Sequence, residues 1–289
     1  MRLCPACAVA HADSGWLCKN CGLAPPTADG ITLLAPEIAG GDGSDATYEH
    51  EALAAAERVH FWFRARARLI AWSINRHFPQ AASLLDVGCG SGGVLAELQT
   101  YCPQLTLTGA EVLLAALRYA RARMPDVELL QVDVRRLPFE REFDVVCAFD
   151  VLEHLDDDER MLGEMAKAVR PGGGLVVTVP QHPQLWSRVD DYSRHRRRYR
   201  RSELVARVQR AGFAVQRVTS FVALMLPAMM LSRIRDRRQE RPFDPRAELH
   251  IGAVANAIAT LLSDVERYAI QLGVSWPAGG SLLLVAVKR

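Results

Sequence analysis

Residues 83–98, SLLDVGCGSGGVLAEL, open with a compact apolar run at Leu84, Leu85 and Val87, then a glycine-crowded turn and an apolar-periodic stretch. A short apolar run without alternation suits a central parallel strand covered on both faces, and residues 93–100 suit a helix. The same alternation of strand-like and helix-like segments recurs along the chain. Residues 105–112, 127–134 and 143–149 read as the second to fourth strands, with a helix over 113–124 closed by Pro125. LVVTVP reads as the fifth strand, 214–220 as the sixth and 280–288 as the last. This order predicts an α/β fold: a Rossmann-like, seven-stranded, mostly parallel sheet with helices on both faces.

Gly88, Gly90 and Gly92 mark the first turn as a place where the backbone takes positive φ and a ligand can come close. The helix behind it offers unpaired N–H groups. The order is D-x-G-x-G-x-G, with Asp86 inside the strand, and no Lys-Ser or Lys-Thr pair follows. A phosphate loop for nucleoside triphosphates is therefore excluded. LLDVGCGSGG resembles the first motif of class I S-adenosylmethionine-dependent methyltransferases. The resemblance implies S-adenosylmethionine as cofactor, S-adenosylhomocysteine as product, and Asp86, Gly88, Cys89, Gly90 and Gly92 around the methionine end.

Ligands in open α/β sheets bind outside the carboxyl ends of the strands. Glu111 ends the second strand, where a carboxylate can accept from both ribose hydroxyls, with Val112 beside it. In the family, an acidic residue at the third strand end meets the adenine amino group; here that is Asp133, with Val134 against the ring. Asp150-Val-Leu-Glu153-His154 follows the fourth strand, beside the departing methyl group. His154 is the candidate base and His195 a second candidate catalytic residue, since histidine titrates in the working range. A structural histidine capping the next helix is the competing reading. D-x-x-E-H also resembles the E-x-x-E-H of ubiquinone-biosynthesis and small-RNA methyltransferases. That resemblance implies a divalent metal at Asp150, Glu153 and His154, with His195 as fourth ligand, although aspartate shortens the first arm.

Ahead of the glycine turn, residues 47–78 read as one helix stopped by Pro79. Its middle carries His60-Phe61-Trp62-Phe63-Arg64, then Arg66 and Arg68. Four consecutive rings cannot all face one core, so the helix is expected either as a lid, with Trp62 and Arg68 on the cofactor, or packed on the sheet with solvated arginines.

Cys4-x2-Cys7 and Cys18-x2-Cys21 at the start can close a tetrahedral four-thiolate site, with zinc the usual occupant in a structural role. The segment resembles zinc ribbons found ahead of bacterial methyltransferase domains. The expected organisation is a ribbon over 1–36, a linker over 37–46 and a methyltransferase domain over 47–289. Between the last two strands, residues 221–272 form an insertion. Val254, Ile258, Leu261, Leu262, Val265, Tyr268, Ala269 and Leu272 recur at helical spacing within it, the pattern of an amphipathic core helix or acceptor lid. FVALMLPAMML followed by Arg233, Arg235, Arg237 and Arg238 offers peripheral membrane contact as a minority alternative.

The chain of 289 residues has 49% apolar content, enough for a sizeable core. Its net charge of +2 disfavours nucleic acid as partner. The opening MRLCPAC lacks the basic cap and apolar core of a signal peptide, and no apolar run is long enough for a membrane span. Seven cysteines, four of them in ligand spacing, fit a reducing cytoplasm. The preferred reading is methyl transfer to a small organic acceptor, lipophilic if the lid holds, at oxygen and in a biosynthetic pathway. RNA methylation through the ribbon and the arginine run at 194–201 is the alternative. A cofactor-binding regulator docking a protein partner is a third.

Overall fold

The structure, a computed structural model, describes residues 1–11, 15–40, 50–236 and 251–289. Strands β1 (Arg2–Leu3) and β2 (Ala10–His11) pair within the cysteine module. The main sheet contains β3 (Thr27–Ala28), β4 (Ile31–Leu33), β5 (Ser83–Val87), β6 (Thr106–Glu111), β7 (Glu128–Gln131), β8 (Phe143–Phe149), β9 (Val169–Pro180), β10 (Phe213–Phe221) and β11 (Ser281–Lys288). Its order is β10-β11-β9-β8-β5-β6-β7-β4-β3. The seven expected strands are all there, parallel except for β11, which runs antiparallel to both of its neighbours. The strand order reverses between β5 and β8, and such a switch point opens a crevice at the carboxyl ends.

Alternate side chains of the central strands feed two cores. Leu85, Val87, Val146 and Ala148 pack on the face covered by α5 (Asp158–Ala168) and α7 (Arg201–Arg210). Leu84, Val145 and Cys147 pack on the face covered by α2 (Phe61–His77), α3 (Gly93–Tyr101) and α4 (Leu114–Arg123). Burial on both faces explains why these strands read as apolar runs rather than alternating ones.

Three boundaries differ from the sequence reading. The single entry helix is two, α1 (His50–Val59) and α2, because His60 leaves the helical path and its ring accepts from the Trp62 amide at 3.2 Å, capping α2. Residues 27–33, assigned to the ribbon, join the main sheet instead: β4 pairs in parallel with β7 and β3 pairs with β4. Pro36–Ile38, across the expected start of the linker, form a 3₁₀ turn, and the Ala39 carbonyl accepts from Leu114 N at 3.1 Å; residues 41–46 lie outside the described residues.

The loop before α7 contains the short α6 (Arg188–Tyr192). The insertion supplies α8 (Leu226–Asp236) and α9 (Ala253–Gln271). Arg237 and Arg238 of the basic block lie outside the described residues, as does the side chain of Arg235. Among the described residues no helix is long and apolar enough to cross a membrane.

Candidate functional site

The glycine turn is tied to β6 by two amides, Gly88 N and Cys89 N, which donate to the Ala110 carbonyl at 2.7 and 3.1 Å. Gly88, Gly90 and Gly92 all take positive φ, at 80°, 54° and 77°. Their reasons differ. A Cβ on Gly88 would lie 2.5 Å from Val151 Cγ2, and one on Gly92 2.4 Å from Met124 Cε, so packing alone excludes a side chain there. A Cβ on Gly90 would meet nothing within 4 Å. Gly90 therefore faces open space at the switch point. Cys89 turns its thiol into the core, with the Gly90 carbonyl 4.0 Å away.

Asp86 is buried, and its Oδ1 has no hydrogen-bond partner among the described residues. Burial pushes its carboxyl up to about 7; Glu111 adds to the rise and Arg66 opposes it. The sign of the consequence follows from linkage. Between the ordinary value of 3.8 and about 7, the unfolded chain has lost this proton and the folded chain has not. Stability therefore falls as pH rises through that window and stays lower above it. Asp86→Asn is expected to raise the melting temperature of the ligand-free protein by several degrees at pH 8, with the gain vanishing near pH 4. Thermal denaturation across pH 4–8 measures this; a gain independent of pH would contradict it.

Glu111 holds the tip of β6 to the turn: Oε1 accepts from Val112 N (2.7 Å) and Leu113 N (3.0 Å), and Oε2 from Gly90 N (3.1 Å). Sequence reasoning missed the brace behind it. Gln131 is fully buried; its Nε2 donates to the Val112 carbonyl at 3.0 Å, and its Oε1 accepts from Ala35 N at 3.2 Å. The stretch after β4 thus supports the loop next to Glu111. Asp133 lies in the loop after β7. Its carboxylate takes Arg135 N at 2.9 Å and the Arg135 guanidinium at 2.8 and 3.0 Å. Burial pushes that carboxyl up, but Arg135 outweighs it and holds the group below the usual range. Val134 is buried in the core.

Asp150 stands in the left-handed region at φ 57°, a strained conformation for a non-glycine residue. Its Oδ2 bonds the Arg66 guanidinium and accepts from Thr178 Oγ1 at 3.2 Å. Arg66 is buried and lies over the Trp62 ring, 4.4 Å from its centroid. It separates two clefts. One lies against Glu57, Phe63, Gly93 and Val94; the other lies against Trp62, Leu69, Phe221, Glu266 and Ile270. Arg68, assigned to the cofactor from sequence, turns away instead and lies 3.7 Å from Asp264 on α9. Residues two apart on a helix point to nearly opposite sides, so Arg66 and Arg68 cannot serve one cleft. Glu57 of α1, not foreseen, accepts from Ser91 Oγ at 2.8 and 2.9 Å and from Arg123 at 2.7 Å, closing α1 over the start of α3.

Beyond Asp150, the ligand atoms of Glu153, His154 and His195 lie within 4.8 Å of one another. The expected metal set included Asp150, but its ion pair with Arg66 leaves Glu153, His154 and His195 as the group brought together. Glu153 is fully buried, with neither carboxylate oxygen partnered among the described residues; burial, then the Asp150 charge, pushes its carboxyl well up. The His154 and His195 rings stand perpendicular, 4.8 Å apart. Burial, with the neighbouring His195, lowers His154 to about 4. His195 Nδ1 meets Asp190 Oδ1 at 2.8 Å. Asp190 also accepts from Arg198 Nε at 2.8 Å and from Ser187 N and Oγ at 2.8 and 3.0 Å. Burial raises this carboxyl, but His195 and then Arg198 hold it at about 2. Asp190 and Arg198 therefore fix the His195 ring, a role visible in sequence only as an acid five positions earlier.

The arginine run is largely spent within the protein. Arg196 and Arg197 reach Asp156 and Asp158, Arg198 reaches Asp190, Arg200 reaches Glu203, and Arg201 donates to the Trp276 carbonyl at 2.6 Å.

The four N-terminal thiols form a second cluster, with Cys4–Cys21 at 3.6 Å and Cys7–Cys18 at 3.7 Å between sulfurs. A tetrahedron with Zn–S bonds of about 2.3 Å has edges of about 3.8 Å, so the cluster fits a zinc ion. Its two knuckles match: Ala8 N donates to the Cys4 carbonyl at 2.9 Å and Gly22 N to that of Cys18 at 2.8 Å. Docking is local. Arg2 grips Glu128 through two 2.7 Å bonds and lies over Trp16, which packs edge-on against Phe139 at 5.7 Å.

Comparison with known proteins places these features among relatives. A family model described as a methyltransferase domain matches residues 54–218. The chain is 34% identical over 102 residues to a trans-aconitate 2-methyltransferase of Azoarcus sp., covering 35% of this chain and 40% of that protein. It is 34% identical over 143 residues to dTDP-3-amino-3,6-dideoxy-alpha-D-glucopyranose N,N-dimethyltransferase of Streptomyces fradiae, covering 47% and 55%. The chain thus spans about half the length of the curated relatives it matches. Two solved structures share the fold. One is a Haloferax volcanii complex of the Trm112 methyltransferase activator and a putative methyltransferase (TM-score 0.51, 21% identity, 83% of this chain and 98% of that one). The other is Haemonchus contortus phosphoethanolamine N-methyltransferase 2 (TM-score 0.55, 19% identity, 86% and 59%).

Proposed function

We propose that this chain, which belongs to the methyltransferase-domain family, transfers the methyl group of S-adenosylmethionine to a small organic acceptor, at oxygen, in a biosynthetic pathway of the cytoplasm. The observation that carries this reading is the meeting, at one switch point, of an open Gly90, the Glu111 carboxylate and the Asp150–His154 segment. Glu111 is suited to the ribose hydroxyls and Asp133 to the adenine amino group. Arg66, on the wall of the cleft beside the glycine turn, suits the methionine carboxylate better than Arg68.

The cofactor supplies an activated methyl on a sulfonium. Gly90, Glu111 and Arg66 would hold it with the methyl toward the acceptor oxygen. The His154 imidazole, which burial keeps neutral rather than titrating in the working range, would take the proton that the acceptor gives up. Alignment of nucleophile and methyl supplies most of the acceleration, and the cleft between α2 and α9 supplies the alignment. Its walls, Trp62, Leu69, Phe221 and Ile270, are apolar with Glu266 and Arg267 among them, which suits a lipophilic acceptor with a polar group. The arginines that an RNA partner would need are engaged with the protein's own carboxylates and carbonyls.

A second reading rests on Glu153. A buried carboxylate with both oxygens unpartnered, beside two imidazoles, has the donor set of a divalent metal site. A cation held by Glu153, His154 and His195 would lower the pKa of an acceptor hydroxyl. In that case His154 is a ligand and not a base, and metal analysis of the purified protein separates the two roles. Zinc at Cys4, Cys7, Cys18 and Cys21 is structural in either reading, because four thiolates leave no open position.

The test is methyl-labelled S-adenosylmethionine incubated with the protein and extract of the source cells. Label is expected in the organic-extractable small-molecule pool; label in RNA would overturn the acceptor class. His154→Gln is expected to lower turnover about a hundredfold with cofactor affinity unchanged. Equal turnover would remove His154 from the chemistry.

A further inference from the structure

We propose that α9 pairs with α9 of a second copy of this chain, as an antiparallel two-helix seam. The sequence pattern of α9 suggests a core helix or an acceptor lid with its apolar stripe turned inward, but the stripe is placed the other way round. Its inward positions are Ala259, Ser263, Glu266 and Ile270, small or polar for the most part. The apolar stripe faces outward: Val254, Ile258, Leu261, Val265, Tyr268 and, at the C-cap, Leu272 are each between 52% and 88% exposed. An outward apolar stripe this long on an exposed face calls for a partner.

The spacing says what kind. The stripe advances by four, three, four, three and four residues. That is the 3.5-residue period of a narrow coiled-coil seam, suited to another helix carrying the same repeat. It also reads the same in both directions about position 263. A two-fold axis at that point sets Val254 of one copy opposite Leu272 of the other, Ile258 opposite Tyr268, and Leu261 opposite Val265. The face is therefore complementary to itself, as a two-fold interface requires. Ala255, Ala257 and Ala269 flank the seam and let two backbones come close.

Area agrees. The six side chains expose on the order of 700 Å², near the roughly 800 Å² per partner of a standard interface. Charge argues against a lipid surface as the occupant. A helix lying on a membrane carries basic residues along its polar face, whereas α9 has Asp264, Glu266 and only Arg267. Arg267 is itself held by Asp264 at 3.0 Å and lies over the Tyr268 ring. Because the inner face of α9 carries Ser263, Glu266 and Arg267 on the cleft beside Trp62, pairing would also fix one wall of that cleft.

Sedimentation of the full chain at micromolar concentration tests this, beside Leu261→Glu and Val265→Glu. Both substitutions lie on the exposed stripe, so helical content should not change, and circular dichroism checks it. The wild type is expected at twice the chain mass and each variant at the chain mass. A wild-type protein that sediments as a single chain overturns the proposal, and its co-pelleting with phosphatidylglycerol vesicles would then assign the stripe to a membrane. A dimer that survives both substitutions overturns it as well.

Discussion

Gly90→Val is expected to abolish S-adenosylmethionine binding while leaving the fold in place. Nothing in the protein lies within 4 Å of a Cβ at this position, so the added side chain meets no neighbour in the free protein. It enters the open space over the turn, where the proposed function puts the cofactor. The φ of 54° is unfavourable for a branched residue, a strain of roughly 1–3 kcal/mol, so the melting temperature should fall by some degrees without loss of cooperativity. Equilibrium dialysis with labelled cofactor should show affinity reduced by at least a hundredfold. The neighbouring Gly88 gives the contrast. Its Cβ would lie 2.5 Å from Val151, so Gly88→Ala should damage folding itself. Retained binding in a well-folded Gly90→Val protein would mean that the turn is not the cradle.

Cys18→Ser is expected to abolish zinc binding at the four-thiol cluster and unfold the cysteine module. Structural zinc contributes roughly 10–16 kcal/mol to small modules of this kind, and this one has little core of its own beyond Cys4, Trp16 and Cys18. Hydrogen exchange should show the amides of Leu3, Cys4 and Cys18 losing protection while those of β5 and β8 keep theirs. The effect should extend to the cofactor site. Ala35 N reaches Gln131, Gln131 reaches the Val112 carbonyl, and Leu114 N reaches the Ala39 carbonyl. Loosening that brace beside Glu111 is expected to weaken cofactor binding roughly tenfold, within the usual range of coupling energies. Metal analysis and cofactor titration of the same sample check both parts. Full protection and unchanged affinity in a zinc-free variant would show that the module is carried passively.

Much of this architecture is legible along the chain, for a physical reason. Buried parallel strands leave apolar runs, and a tight turn of positive φ leaves glycines, so β5, β6, β8 and the Asp86–Gly92 turn are visible as local patterns. The two C-x2-C knuckles are equally local. What was not legible depends on orientation or on contacts between distant segments. Helical periodicity shows that α9 has an apolar stripe but does not say which way it faces; only the buried Ser263 and Glu266 reveal that it points out. A run of arginines on α2 does not say which way each one turns: Arg66 meets Asp150, whereas Arg68 meets Asp264 on α9. Asp190, Arg198 and Gln131 act by holding other groups, and each partner lies in another segment or an adjoining turn. The attachment of residues 27–33 to β7 is likewise a pairing between segments about a hundred positions apart, which no local pattern records.

The most direct test of the central claim is a calorimetric titration of the purified wild-type protein with S-adenosylmethionine. The account predicts one saturable site per chain, with S-adenosylhomocysteine competing for it. Absence of binding, or binding that the product does not displace, would contradict the assignment of the switch-point crevice as a methyl-donor site.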